Sequence, residues 1–140
     1  MTAEERLSTV LAAEHAAIFG YGMVGAHLPN ALRSEGVAAE QAHRDRRDAL
    51  LLRLETAGQT PPPAEPTYEL PEVTDGASAI QLAIELEERT AAAWRAALSD
   101  TVDSDREFAL DALIDCATRA SHWRQAAGRP ATVPFPGKIE

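Results

Sequence analysis

The stretch Leu7–Leu28, LSTVLAAEHAAIFGYGMVGAHL, carries an apolar stripe with one acidic residue in its middle. At alternating spacings of four and three residues, the stripe consists of Leu7, Leu11, Glu14, Ile18, Tyr21, Gly25 and Leu28. This spacing is typical of a helix that packs along its length against other helices. A buried carboxylate is costly unless it is paired, protonated or bound to a metal. The stretch therefore predicts a core helix and makes Glu14 the first candidate functional residue.

Apolar stripes elsewhere in the chain predict three further helices. With the first, they cover about residues 3–28, 34–57, 75–98 and 104–127, and an extended tail follows at 129–140. Five prolines between residues 59 and 74 exclude a helix there, and this segment is long enough to run the length of a neighbouring helix. We therefore predict one all-α domain over residues 1–140, with two antiparallel helical hairpins joined by a long Pro-rich crossover.

Composition excludes several classes of function. The formal net charge of −9 argues against nucleic-acid binding, which needs a basic surface. Cys116 is the single cysteine, so no intrachain disulfide can form. The acidic start Met1–Glu5 is unlike a signal peptide, and no uninterrupted apolar run approaches about 20 residues. We expect a cytoplasmic protein with no membrane span and no nucleic-acid partner.

Polar residues on the predicted helices are expected to meet in one layer. In an antiparallel hairpin, residues equally far from the centre of the connection lie at the same height. If the first connection is centred near residue 31, Glu14 lies at the height of about Arg47 or Asp48. A second connection centred near residue 101 places Glu87 level with Asp115. The predicted buried layer consists of Glu14, His43, Arg47, Glu87, Asp115 and Arg119.

One interpretation of this layer is an ion network. Arg47 would hold Glu14 and Glu87, because the planar guanidinium forms two parallel bonds with a carboxylate and stays charged when buried. Asp115 and Arg119 would continue the pairing. Such a network fixes the relative positions of helices while adding little net stability.

The other interpretations are a metal site and a small-ligand pocket. Helical bundles that bind two irons or manganeses take one Glu from each of two helices and a Glu-x-x-His motif from each of the others. Glu14 and Glu87 would be the single carboxylates, and Glu40 with His43 forms one motif. The second motif is absent, because Arg119 stands where its bridging Glu should be.

The chain resembles the ferritin-like superfamily and, more narrowly, an uncharacterised ferritin-like family of high-GC bacteria. The residues that carry this resemblance are Ala13–Ala17, Tyr21–Gly22, Ala42–Arg44, Arg46–Asp48, Tyr68–Pro71, Leu86–Arg89, Ala92–Trp94, Pro130–Thr132 and Phe135–Gly137. The resemblance implies a four-helix bundle, often dimeric, with one long crossover between its second and third helices. The resemblance implies that Glu14, Glu40, His43 and Glu87 are metal ligands. The ligand pattern is broken at Arg119, where the family pattern calls for a Glu.

These observations favour a homodimeric structural or interaction module that needs no cofactor and has no catalytic activity. The alternative is an oxidoreductase or metal-binding protein that holds iron or manganese at Glu14, Glu40, His43 and Glu87. A second alternative is a protein that binds a small ligand in the polar layer.

Overall fold

The computed structural model describes residues 1–138, and over these residues the chain is helical with no β-strand. The four α-helices are α1 (Ala3–Gly25), α2 (Arg33–Thr56), α3 (Gly76–Ala97) and α4 (Asp103–Ala126), and a 3-10 helix at Asn30–Leu32 lies between α1 and α2. The prediction of an all-α chain is confirmed for the described residues. Within the predicted tail 129–140, residues 139–140 lie outside them.

Local sequence explains where the helices begin and end. Thr2 accepts a hydrogen bond from the backbone N–H of Glu5, whose side chain bonds back to Thr2. Asp75 caps α3 in the same reciprocal way. Gly58 and Gly128 follow α2 and α4 with φ angles of 79° and 72°, a conformation that glycine adopts without strain.

The helices pack as antiparallel neighbours. α1 packs against α2 and α3, and α3 packs against α4. Glu14 on α1 contacts Trp94 on α3, and Tyr21, further along α1, contacts the earlier residue Glu87. α2 and α4 are bridged by side chains, including the hydrogen bond of Arg53 to an Asp on α4 at 2.8 Å.

A layer of polar side chains divides the apolar core into two parts. One part surrounds Leu11, Leu50 and Trp94, and the other surrounds Val24 and Ile84. The predicted apolar stripe of α1 is wrong at Gly25, which is exposed where the helix terminates, whereas Leu28 beyond it is buried. The two apolar parts of the core thus enclose the polar layer from both sides.

The segment 57–75 between α2 and α3 is extended and lies against α1. The ring of Tyr68 packs on Phe19 with centroids 5.6 Å apart. A Cβ atom on Gly20 would lie 2.6 Å from Leu86 and 3.1 Å from Leu70, so the absence of a side chain there allows both α3 and this segment to approach α1.

By length and composition alone, α1 meets the criterion for a membrane-spanning helix, which the search for an uninterrupted apolar run did not identify. An 18-residue window of α1 has a mean hydropathy of 1.2, which is sufficient for a candidate span. In the structure, 44% of this window is buried inside the protein, and it includes Glu14. The apolar character of α1 is accounted for by its packing between α2 and α3.

Candidate functional site

His43 lies at the centre of the polar layer, between two carboxylates from other helices. Its Nδ1 is 2.6 Å from Oε2 of Glu14 on α1, and its Nε2 is 2.7 Å from Oε1 of Glu87 on α3. All three side chains are completely buried. One imidazole ring from α2 therefore joins α1 and α3 at a single point.

This geometry favours a protonated imidazole between two ionised glutamates. A neutral ring has one donor and one acceptor, and the acceptor nitrogen would repel a carboxylate oxygen. Burial opposes charge on His43, but Glu87 and Glu14 outweigh it and raise the pKa of His43 from 6.5 to about 9. Burial likewise opposes charge on Glu14, yet His43, with Arg46 and Trp94, lowers the pKa of that carboxyl below 4.5. The pair is ionised at neutral pH.

Arg46 connects this centre to α4. Its Nη1 is 3.3 Å from Oε1 of Glu14 and 3.4 Å from Sγ of Cys116, and its Nη2 donates to Asp115. Burial raises the pKa of the Cys116 thiol well above 9, with Glu87 acting in the same direction, so the sulfur is a neutral neighbour of the guanidinium.

Arg119 plays the corresponding role beside Glu87. Its Nη1 is 3.2 Å from Oε1 of Glu87, and its two terminal nitrogens donate to Asp115 at 2.8 and 3.0 Å. Burial opposes ionisation of Asp115, but Arg119 and Arg46 outweigh it and lower its pKa. The network thus contains three carboxylates and three cations, and its formal charge is zero when His43 is protonated.

Aromatic side chains complete the hydrogen bonding of the two buried glutamates. Nε1 of Trp94 donates to Oε1 of Glu14 at 2.8 Å. The hydroxyl of Tyr21 donates to Oε2 of Glu87 at 3.3 Å and accepts from Nε1 of Trp123 at 2.9 Å. Burial, together with Glu87, raises the pKa of Tyr21 well above 10, so it remains a donor. Trp94 and Trp123 are therefore core residues whose indole N–H groups also donate hydrogen bonds into the polar layer.

The structure brings together most of the residues predicted for the layer: Glu14, His43, Glu87, Asp115 and Arg119. Arg47 is a correction, because its Nε pairs with the neighbouring Asp48 at 3.0 Å outside the layer. Arg46, which sequence reasoning missed, takes the position that was assigned to Arg47. Glu40 is a second correction, since its carboxylate is 3.5 Å from Arg44 and takes no part in the network.

A two-metal centre does not fit the residues present. Glu40 is absent from the cluster, and the guanidinium groups of Arg46 and Arg119 contact the carboxylates that would have to bind the metals. A cation beside them would be repelled, and an Arg offers no lone pair.

A mixed set of three ligand atoms also lies close together in the layer. Potential ligand atoms of Glu14, His43 and Cys116 lie within 4.8 Å of one another. However, Nη1 of Arg46 contacts both Glu14 and Cys116, and its charge would repel a metal ion bound by these two residues. The arrangement is that of a protein ion network, with charge already supplied by side chains.

Replacing Arg46 tests the network directly. We expect Arg46→Met to lower the free energy of unfolding by about 3 kcal/mol, because it leaves buried Glu14 and half-exposed Asp115 without their shared cation. Arg47→Met is the matched control and should cost less than about 0.5 kcal/mol, because its ion pair is at the surface. Urea unfolding curves measure both, and equal effects would contradict the assignment of Arg46.

The raised pKa of His43 predicts a loss of stability in alkaline solution. A rise from 6.5 to about 9 corresponds to on the order of 3 kcal/mol, which is fully present below pH 6.5 and is lost as pH rises through 9. The folded state binds the proton that the unfolded state has released, so stability falls with pH in this window. Unfolding measured at about pH 6 and about pH 9.5 should show this fall.

The control for this prediction is the exposed His122 on α4. The variant His122→Gln should retain the fall, whereas His43→Gln should lose it. A fall of the same size in both variants would show that another group is responsible.

Comparison with known proteins places the chain in a family. The family described as "Domain of unknown function (DUF4439)" matches residues 6–140. The chain is also similar to the crystal structure of a conserved hypothetical protein, rv2844, from Mycobacterium tuberculosis. The identity is 38% and the TM-score 0.85, and the match covers 89% of this chain and 96% of that one. No curated protein matches it. The chain therefore belongs to the DUF4439 family of domains of unknown function.

Proposed function

We propose that the chain is a ferritin-like four-helix bundle. Arg53, in the last turn of α2, pairs with Asp105 in the first turn of α4, while Gly76, the first residue of α3, lies against Pro29 at the other end. The Pro-rich segment 57–75 therefore connects opposite ends of the bundle. An extended segment of this length reaches about 60 Å, against about 36 Å for a helix as long as α2. A long crossover between α2 and α3 supports the ferritin-like topology.

We further infer that a protein ion network takes the place of a metal centre in this bundle. The observation that carries this inference is His43, whose two ring nitrogens each contact a glutamate from a different helix. In a metal-binding bundle a cation would bridge such glutamates. Here the imidazolium supplies the bridging charge.

The corresponding biological role is that of a non-metal structural or interaction module without catalytic activity. A neutral, fully hydrogen-bonded centre fixes the relative positions of the helices and leaves no unpaired group to act as a nucleophile or base. Exposed apolar side chains on α2 and α4, such as Leu52 and Ile114, support a protein partner, which we propose is a second copy of the chain in a cytoplasmic homodimer.

Metal content after loading tests this proposal. Untagged protein is incubated anaerobically with ferrous iron or Mn²⁺ and desalted, and the metal is measured by elemental analysis. We expect no stoichiometric metal, because Arg46 already pairs with Glu14 and Arg119 with Glu87.

Roughly one or two metals per chain would contradict the proposal. In that case, loss of the metal in Glu14→Gln would locate it in the polar layer and support the alternative of a metal-dependent oxidoreductase. Loss or retention of the metal in Glu40→Gln would show whether Glu40 is one of its ligands.

A further inference from the structure

The C-terminal tail is fixed against the outer surface of α3. Nη1 of Arg95 donates to the carbonyl oxygens of Phe135 and Pro136 at 3.3 and 3.1 Å. Gly137 has a φ of 78°, and a Cβ atom there would lie 2.8 Å from the carbonyl oxygen of Ala91. Only glycine allows the tail to approach the helix so closely.

A groove of about 530 Å³ lies between this tail and α3. It is lined by Ala92, Arg95, Ala96, Phe135, Gly137 and Lys138. This volume falls within the range of sites that bind one small molecule. The methyl groups of Ala92 and Ala96 form an apolar floor beside the Phe135 ring.

The conformation of Phe135 is unusual for an aromatic residue. Its φ of 137° is strained for a residue with a side chain, and such strain is concentrated at functional positions. Two thirds of the residue remains exposed, although an apolar ring normally gains from burial. Nζ of Lys138 lies 5.3 Å from the ring centroid. The backbone thus holds the ring partly exposed, with the Lys138 ammonium over it.

Two cationic side chains, Arg95 and Lys138, line the groove of an otherwise acidic protein. Among residues 1–138, no carboxylate lies within 4.0 Å of the charged groups of Arg95 or Lys138. Nε and Nη2 of Arg95 donate to no side chain or backbone group in that part of the chain. Two cations with spare donors stand out against a formal charge of −9 and would attract an anion.

We propose that this groove binds a small aromatic carboxylate. The carboxylate would accept hydrogen bonds from Arg95 and Lys138, and its ring would pack between Phe135 and the alanine floor. The inference does not depend on the proposed role of the polar layer, because the groove and the buried network share no residue.

The test uses the full chain and 2-naphthoate as the probe. We expect saturable chemical-shift changes in the backbone amides of residues 92–96 and 135–138 during a ¹H–¹⁵N NMR titration. Arg95→Gln and Phe135→Ala should each weaken binding roughly tenfold or more. Arg89→Gln, at an exposed arginine of the same helix that pairs with Glu85, should leave binding unchanged. Far-UV circular dichroism verifies that each variant is folded.

Three outcomes would overturn the proposal. The first is no saturable change in these amides up to about 10 mM probe, since weaker binding than this is not specific recognition. The second is equally tight binding of neutral 2-naphthamide, which would show that the cations do not recognise the ligand. The third is a shift of the same amides with protein concentration in the absence of the probe, which would identify the occupant as a second copy of the chain.

Discussion

The two hydrogen bonds of His43 are the constraint on which the rest of the structure depends. They join α2 to a glutamate on α1 and to another on α3, at a point that water does not reach. Burying either glutamate in an apolar core without a cation would strongly destabilise the fold, and so would burying the cation without the glutamates. Each of the three helices is therefore committed to one position relative to the other two.

The remaining charges extend this constraint to α4. Arg46 and Arg119 approach Asp115 from two helices, and each also contacts one of the buried glutamates. Because Asp115 is 39% exposed, the network reaches solvent on this side, whereas its centre is dry. Replacing such a network by apolar residues need not lower stability, so we propose that it serves to specify one arrangement of the helices.

Much of this arrangement could be predicted from the sequence. The interruption of an apolar stripe identified Glu14, because spacing along a helix determines which residues share a face, and the antiparallel register placed Glu87 in the same layer; both carboxylates are buried. Spacing along a helix does not determine which residues of neighbouring helices lie at the same height, because this depends on tertiary packing. The predicted connection between the first two helices was centred at residue 31, whereas α1 ends at Gly25 and α2 begins at Arg33, which centres it at residue 29. This shift moves the residue level with Glu14 from 47 or 48 to about 44.

The confusion of Arg46 with Arg47 has a separate cause. Both lie within one helical turn of His43, and neither composition nor periodicity distinguishes them. Only the position of Asp115 on α4 selects Arg46, and side-chain contact between α2 and α4 is not visible in the sequence. The sequence does not show the polar contacts of Trp94 and Trp123 either, since spacing along a helix predicts burial but not where an indole N–H points.

The central claim is that the core of this protein is held by a buried imidazolium in place of a metal. The most direct test is the protonation state of the His43 ring in the folded, metal-free protein, measured by ¹⁵N NMR with histidine labelled at both ring nitrogens. The account predicts that at neutral pH Nδ1 and Nε2 both carry a proton and that each proton is shared with a glutamate. A neutral ring with one bare nitrogen would contradict it, because the network would then lack the charge that balances its carboxylates.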